Sequence, residues 1–234
     1  MRGVLQGLLM ASLVACASSP PPVIYPQAGT QTSPNTQTQT QARAVSSPRA
    51  QQGSFQPDYT LYACTRSFAN RPDTDPSGRI RSYSALIEVQ GVVLAASPVN
   101  GACMTSGFGP RFGRLHKGID LQAKPAVPVY STAPGIVLEV STQTGFGYQV
   151  LIEHGGGVYT RYAHLASFAD GLAPGQAIGF GQPLGMMGKT GNATALHVHY
   201  EVLTGDYNTP RKSWGLTAHN PLDFPAWRGL DGVG

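Results

Sequence analysis

Two short segments of the 234-residue chain carry side chains able to hold a metal ion or move a proton. In Leu196-His197-Val198-His199-Tyr200-Glu201-Val202, the two-residue period of a strand sends both imidazoles to one side and Val198, Tyr200 and Val202 to the other. Neutral imidazole is a common metal ligand with a pKa close to working pH, so one histidine can ligate while its neighbour handles a proton. Upstream, Gly109-Pro110-Arg111-Phe112-Gly113-Arg114-Leu115-His116-Lys117-Gly118-Ile119-Asp120-Leu121 places His116 four residues before Asp120. On a helix that spacing would share a face. Gly118 and Ile119 point instead to a turn entering a strand, so the loop has to bring the pair together. Taken singly, HxxxD fits a solvent-exposed pair as readily as a metal site, and HxH fits two structural histidines.

The succession of motifs is more specific than either one. His116 and Asp120 are followed by Tyr162-Ala163-His164-Leu165, then by Gly188-Lys189-Thr190-Gly191, then by His197 and His199. This order resembles the lysostaphin and LytM family of zinc endopeptidases. The resemblance begins near Pro98-Val99-Asn100-Gly101, takes in Thr105-Ser106-Gly107-Phe108-Gly109-Pro110-Arg111, and runs to Asn220-Pro221. It implies a β-sheet domain with a zinc-holding groove, and hydrolysis of peptide cross-links in bacterial peptidoglycan during wall remodelling or division. On the family pattern His116, Asp120 and His199 would ligate one Zn2+, leaving the fourth position for water. His164 and His197 match the two non-ligand histidines, and either could accept the water proton and return it to the leaving amine. Some relatives keep the fold without the ligands and serve as activators or binding partners of cell-wall amidases. All five expected residues are present here, which favours the enzyme. Glu201 departs from the HxHxD pattern of metallo-β-lactamase-like enzymes, which requires Asp at that place. His154 and His219 read as structural or exposed, Tyr162 as core, and Asp170, Glu139 and Glu153 have no spacing that adds a further carboxylate.

The elements that must position these residues read as strands. Glycine and proline, 29 and 19 residues, break up long helices. Alternating or β-branched runs recur at Tyr59 to Cys64, Tyr83 to Leu94, Gly135 to Val140, Tyr148 to His154, Val158 to His164 and His197 to Val202. Gly155-Gly156-Gly157 predicts a hairpin turn. Gly175, Gly179, Gly181, Gly185, Gly188 and Gly191 space out very short strands and do not form a GxxxxGK[ST] phosphate loop. The expected fold class is all-β: a single β-sheet-rich domain, LytM/lysostaphin-like and of duplicated-hybrid-motif type on the resemblance, preceded by a disordered spacer. Residues 98–234 form the metallopeptidase domain, and 57–97 are strands packed on it or flanking it.

At the N-terminus, Met1 and Arg2 precede an apolar run from Val4 to Val14, too short to span a bilayer, which reads as a secretory signal over residues 1–15. Leu13-Val14-Ala15-Cys16 resembles a bacterial lipobox, in which Cys16 receives the lipid; the other reading is an ordinary signal cleaved near Ala15 or Ala17. Residues 16–56 are rich in Pro, Ser, Thr, Gln and Ala, and read as a disordered spacer spanning roughly 35 Å. The expected location is lipid-anchored at the outer membrane facing the periplasm, with peptidoglycan as substrate and cell-division or amidase proteins as partners. In that oxidising setting Cys64 and Cys103 are expected to pair. The first 57 residues carry +3 and the rest only +1, so the net charge of +4 forms no clustered patch for nucleic acid.

Overall fold

The computed structural model describes residues 55–66 and 69–229. In chain order its strands are β1 (Tyr62–Ala63), β2 (Leu86–Val89), β3 (Val92–Ala95), β4 (Cys103–Ser106), β5 (Gly109–Arg111), β6 (Arg114–His116), β7 (Ile119–Gln122) and β8 (Pro128–Tyr130). There follow β9 (Gly135–Gln143), β10 (Gly147–Glu153), β11 (Val158–Leu165), β12 (Ser167–Phe168), β13 (Ala177–Ile178), β14 (Pro183–Met186), β15 (Val198–Thr204) and β16 (Thr217–His219). The only helical pieces among the described residues are the 3-10 turns Lys212–Gly215 and Pro221–Asp223. The fold is all-β.

The main sheet runs β1-β4-β7-β15-β11-β10-β9-β13, with β16 on the free part of β15. A smaller sheet, β12-β14-β8, and the hairpins β2-β3 and β5-β6 complete the architecture. Alternation decides which face is which. Ile119 and Leu121 of β7, Val198, Tyr200 and Val202 of β15, and Val158 and Tyr162 of β11 enter one large core with Val150, Ile152 and Leu184. The intervening residues of the same strands, Asp120, His199, Glu201 and Arg161, face the other way. There only a small apolar cluster of Leu151, Tyr159, Leu203 and Leu216 forms.

Several predicted runs are cut differently by the structure. Tyr83 to Leu94 is two strands rather than one, because Gln90 and Gly91, at φ +49° and +81°, form a two-residue reverse turn. In Tyr59 to Cys64 only Tyr62 and Ala63 pair, in parallel with Cys103 and Met104. His197 stands just before β15 and bridges Gly188. Gly155, Gly156 and Gly157 do turn β10 into β11, all three at positive φ.

Residues 57–97 belong to the same core. Ile87, Val89 and Leu94 are buried in it, and the Ala95 N–H donates to Thr132 O at 2.9 Å. A disulfide joins Cys64 to Cys103 across a separation of 39 residues, a loop whose closure stabilises by about 4 kcal/mol in the chain-entropy model. Folded contacts begin inside the segment assigned to the spacer. Phe55 is buried against Tyr130, with ring centroids 4.8 Å apart, and Gln56 O accepts from Asn100 Nδ2. Cys16 and the remainder of the predicted signal and spacer lie outside the described residues.

Polar groups buried in the core are tied to one another. The Tyr162 hydroxyl meets Thr132 N at 3.0 Å, Thr132 Oγ1 at 2.8 Å and Thr160 Oγ1 at 2.8 Å. The Tyr200 hydroxyl donates to Ala95 O at 3.1 Å. Tyr162→Phe leaves the Thr132 N–H unpaired, and is expected to cost about 1–3 kcal/mol in urea denaturation without altering metal uptake. A loss of metal binding would instead place Tyr162 in the site.

Candidate functional site

Asp120 and His199 face each other across the β7-β15 pair. His116 arrives from the β5-β6 hairpin, and the chain then passes so close over β15 that a Cβ on Gly118 would lie 2.2 Å from Tyr200 O. Glycine at 118 is therefore what lets His116 sit above His199. The three side chains are buried, at 5–6% exposure. His116 Nε2 lies 3.1 Å from Asp120 Oδ1 and 3.0 Å from His199 Nδ1, and His199 Nδ1 lies 2.9 Å from Asp120 Oδ1. A tetrahedral zinc with bonds of about 2.0–2.1 Å has ligand atoms about 3.3 Å apart. These nitrogen, nitrogen and oxygen donors thus fit one face of such a tetrahedron, and they form a group able to hold a metal ion.

The other atom of each ligand is fixed from outside. His116 Nδ1–H donates to Gly107 O at 2.7 Å, which turns its Nε2 lone pair inward. His199 Nε2–H donates to Glu201 Oε1 at 3.1 Å. Glu201 Oε2 accepts from Arg161 Nη1 at 2.8 Å, within the β11-β15 pair. The Arg161 Nε and Nη2 have no protein partner among the described residues, but the guanidinium lies 4.5 Å from the Phe146 ring centroid, where a cation–π attraction offsets part of the desolvation. Asp120 Oδ2 accepts from Arg111 Nη1 at 3.1 Å, and Arg111 also donates to Ser106 Oγ at 2.7 Å.

Two further histidines overlook this centre. His164 ends β11 at φ +62°, a left-handed conformation uncommon outside glycine, and its Nδ1–H donates to Thr190 O at 2.8 Å. Thr190 is itself fastened by its hydroxyl to Leu165 O at 2.7 Å, so the Gly188-Lys189-Thr190-Gly191 segment holds His164 in place. His197 Nδ1–H donates to Ala195 O at 2.9 Å, and its Nε2 is 3.7 Å from Asp120 Oδ1. The rings of His164 and His197 are 4.7 Å apart. Both therefore present an Nε2 lone pair towards the groove. A cavity of about 240 Å³ opens here between His164, His197 and Asp120. Another of about 310 Å³ lies beyond His116 and His199.

Electrostatics separates His199 from His164 and His197. Burial opposes charge on His199, but the hydrogen bonds to Asp120 and Glu201 and their negative charges outweigh it and raise the imidazole to about 9. Burial would likewise raise Asp120, yet hydrogen bonds from His116 and His199 hold it far below the usual carboxylate range. Burial lowers His164 to about 4, helped by the neighbouring His199 and His197, and burial also lowers His197. These last two are neutral bases at pH 7.

Thus His116, Asp120, His164, His197 and His199 converge on one groove. His154, bonded to Pro134 O and Thr160 Oγ1, lies outside it, as does His219, bonded to Thr204 Oγ1. The disulfide is separate from the ligand group. Sequence reasoning missed Arg111, Arg161 and Thr190 as supports, and noted Glu201 only as a departure from another pattern. Alternation from His199 places Glu201 on the site face, whereas Arg161 is 40 residues away and is brought in by strand pairing alone.

Residues 114–210 match the model of peptidase family M23. This part of the chain is similar to M23 peptidases. Over 88 residues, 38% of the chain, it is 42% identical to the DD-carboxypeptidase/endopeptidase Mpg of Neisseria meningitidis, of which the match covers 20%. Over 107 residues, 43% of the chain, it is 37% identical to the peptidoglycan DD-endopeptidase ShyB of Vibrio cholerae, of which the match covers 25%. The chain therefore spans a quarter or less of these curated relatives. The catalytic domain of lysostaphin from Staphylococcus simulans superposes with a TM-score of 0.45 at 28% identity, covering 53% of this chain and 91% of that one.

With its imidazole raised to about 9 by Asp120 and Glu201, His199 is expected to give up a proton when a metal ion binds at this site. Zinc affinity is expected to rise with pH, by close to tenfold per unit for one displaced proton, up to about 9, and then to level off. Calorimetry at pH 7 in two buffers of different protonation enthalpy should register about one proton released per zinc. Uptake without proton release would show that His199 is already neutral at pH 7 before the metal binds.

Proposed function

We propose that the chain is a zinc-dependent endopeptidase that hydrolyses peptide cross-links of bacterial peptidoglycan. The observation that carries this reading is the convergence of three donors, 2.9–3.1 Å apart, with two neutral imidazoles whose Nε2 atoms face the same groove. His116, Asp120 and His199 would hold zinc, leaving a side open to the groove. Bound there, zinc supplies Lewis acidity, lowering the pKa of water to about 7 and polarising the scissile carbonyl. Either His164 or His197 accepts the water proton at Nε2 and returns it to the leaving amine while the other helps position the water, with their Nδ1–H groups locked on backbone carbonyls so that the tautomer does not drift. Arg111, hydrogen-bonded to Asp120 Oδ2, orients that carboxylate. The DD-endopeptidase names of the Neisseria and Vibrio relatives favour a bond between D-configured centres, such as D-alanyl to diaminopimelate. A non-catalytic activator of amidases would be expected to lack a ligand, and none is missing here.

The location belongs to the same reading. Cys16 is the lipidation site, the segment before it an export signal, and the domain acts from the outer membrane into the periplasm.

Purified sacculi incubated with the chain are expected to lose cross-linked muropeptides, and both His116→Ala and a chelator should abolish the loss. His164→Ala and His197→Ala should each keep stoichiometric zinc while lowering kcat roughly 10²- to 10⁴-fold. Intact sacculi from folded, zinc-loaded protein would overturn the enzyme reading. Fractionation tests the anchor: Cys16→Ser should move the protein from the membrane to the soluble fraction, and an unchanged distribution would refute lipidation.

A further inference from the structure

The sheet that carries the metal ligands continues beyond them. Tyr62 pairs with Cys103, and Cys103 with Gln122. Paired residues share a face, so Tyr62 and Gln122 lie on the same side as Asp120, two residues earlier on β7. Ala63, Met104 and Leu121 of the next row are buried in the core. A cavity of about 840 Å³ stands over the outer row, lined by Tyr59, Tyr62, Gln122 and Lys124 among others. Gln122 also lines the cavity that contains His164 and His197, so the two spaces adjoin. Two strand spacings of about 4.8 Å and two residues of about 3.3 Å place the Tyr62 Cα about 12 Å from that of Asp120.

Most of this lining, from Gln56 to Tyr62 and from Gly101 to Cys103, precedes the M23 match, with Gln122 and Lys124 inside it, and it is held firmly. The Asp58 carboxylate accepts from Asn100 Nδ2 at 3.2 Å and from the Gly101 N–H at 2.7 Å. Asp58 O accepts from the Tyr83 hydroxyl at 2.9 Å. On this fastened loop Tyr59 is 88% exposed, and Tyr62 on β1 is 43% exposed. Two tyrosines presented on a fixed support, along a groove leading to a candidate catalytic centre, suit a flat partner with an apolar face and polar edges.

We propose that this cavity is a subsite for the glycan strand of peptidoglycan, with Tyr59 and Tyr62 against the C–H faces of the sugar rings, and the Gln56 amide and the Oε1 of Gln122, whose Nε2 is held by Leu196 O at 2.9 Å, against hydroxyl and N-acetyl groups. The proposal rests on the peptidoglycan reading above. Charge separates glycan from stem peptide. Asp58 and Lys124 are the charged side chains among the described residues lining this cavity, one of each sign, so the lining carries no net formal charge, which suits uncharged amide-bearing sugars. Stem peptides carry carboxylates, and the basic wall formed by Arg114 and Lys117 lies beyond His116 and His199 instead. The length agrees as well: about 12 Å corresponds to three or four residues of extended peptide, so a sugar at Tyr62 and the bond at the metal centre can belong to one stem.

Peptide-free glycan strands, made by amidase digestion of sacculi, are titrated calorimetrically onto the full chain and onto its Tyr59→Ala and Tyr59→Ala/Tyr62→Ala variants. Binding is expected for the parent chain, weakened roughly tenfold in the double variant. The ratio of sacculus cleavage to cleavage of a sugar-free cross-linked peptide dimer should fall several-fold in the same variant. No glycan binding by the parent chain, equal binding by all three proteins, or a variant-sensitive binding of free stem peptide in place of glycan would overturn the subsite. Binding needs no catalysis. Variant-sensitive glycan binding by a chain that cuts neither substrate would therefore uphold the subsite and refute the endopeptidase reading.

Discussion

The alternation of β15 is the constraint on which the site depends. Val198, Tyr200 and Val202 are wholly buried, and burying three such side chains stabilises the fold by several kcal/mol, at about 1.5–3 kcal/mol for a large apolar residue. A one-residue slip would expose all three and bury His199 and Glu201 in hydrocarbon, so the core holds the register on behalf of the site. With β15 held, β7 pairs beside it and sets Asp120 opposite His199, while β11 sets Arg161 opposite Glu201. Apolar packing on one face thus places the polar atoms on the other.

That face carries a concentration of charge which needs its own compensation. Asp120 is shared by His116, His199 and Arg111, and Glu201 by His199 and Arg161. Taking such groups out of water is unfavourable unless each charge is paired and hydrogen-bonded, and even then a buried pair gains little stability over well-packed hydrocarbon. The pairs are therefore better understood through what they orient. Glu201 secures the Nε2–H tautomer of His199 and so turns Nδ1 inward; Gly107 O does the converse for His116. Outer partners of this kind commonly govern metal affinity as strongly as ligand identity does.

The parts legible from sequence are those governed by local periodicity. β10, β11 and β15 announce themselves through alternation, and the HxH pair follows from the same period. The β2-β3 hairpin was hidden because its turn uses Gln90, a residue that seldom takes positive φ, where Asn or Asp would have signalled it. β1 was overestimated because only two of its residues pair with another strand, 41 residues further on, and propensity carries no record of that distance. Thr190 was visible within a motif, but its work is a carbonyl presented to His164, and main-chain groups leave no trace in residue type. Gly118 likewise looked like a turn residue; the reason for glycine there is the closeness of Tyr200 O.

The same distinction bears on where the functional unit begins. The family match starts at Arg114, yet the site does not. Gly107 O holds His116, Arg111 holds Asp120, and β4 covers the edge of β7 that would otherwise be open. Gly107 in turn donates its N–H to Ala69 O at 3.2 Å and accepts from Asn70 Nδ2 at 3.4 Å, and β4 is bonded to the segment before it through Cys64 and Cys103. Residues 114–210 alone would leave the second edge of β7 unpaired and part of the core around Ile119 and Leu121 uncovered, while His116 would lose the acceptor that fixes its tautomer. The ligands lie within the matched span, but their orientation is completed by residues that precede it.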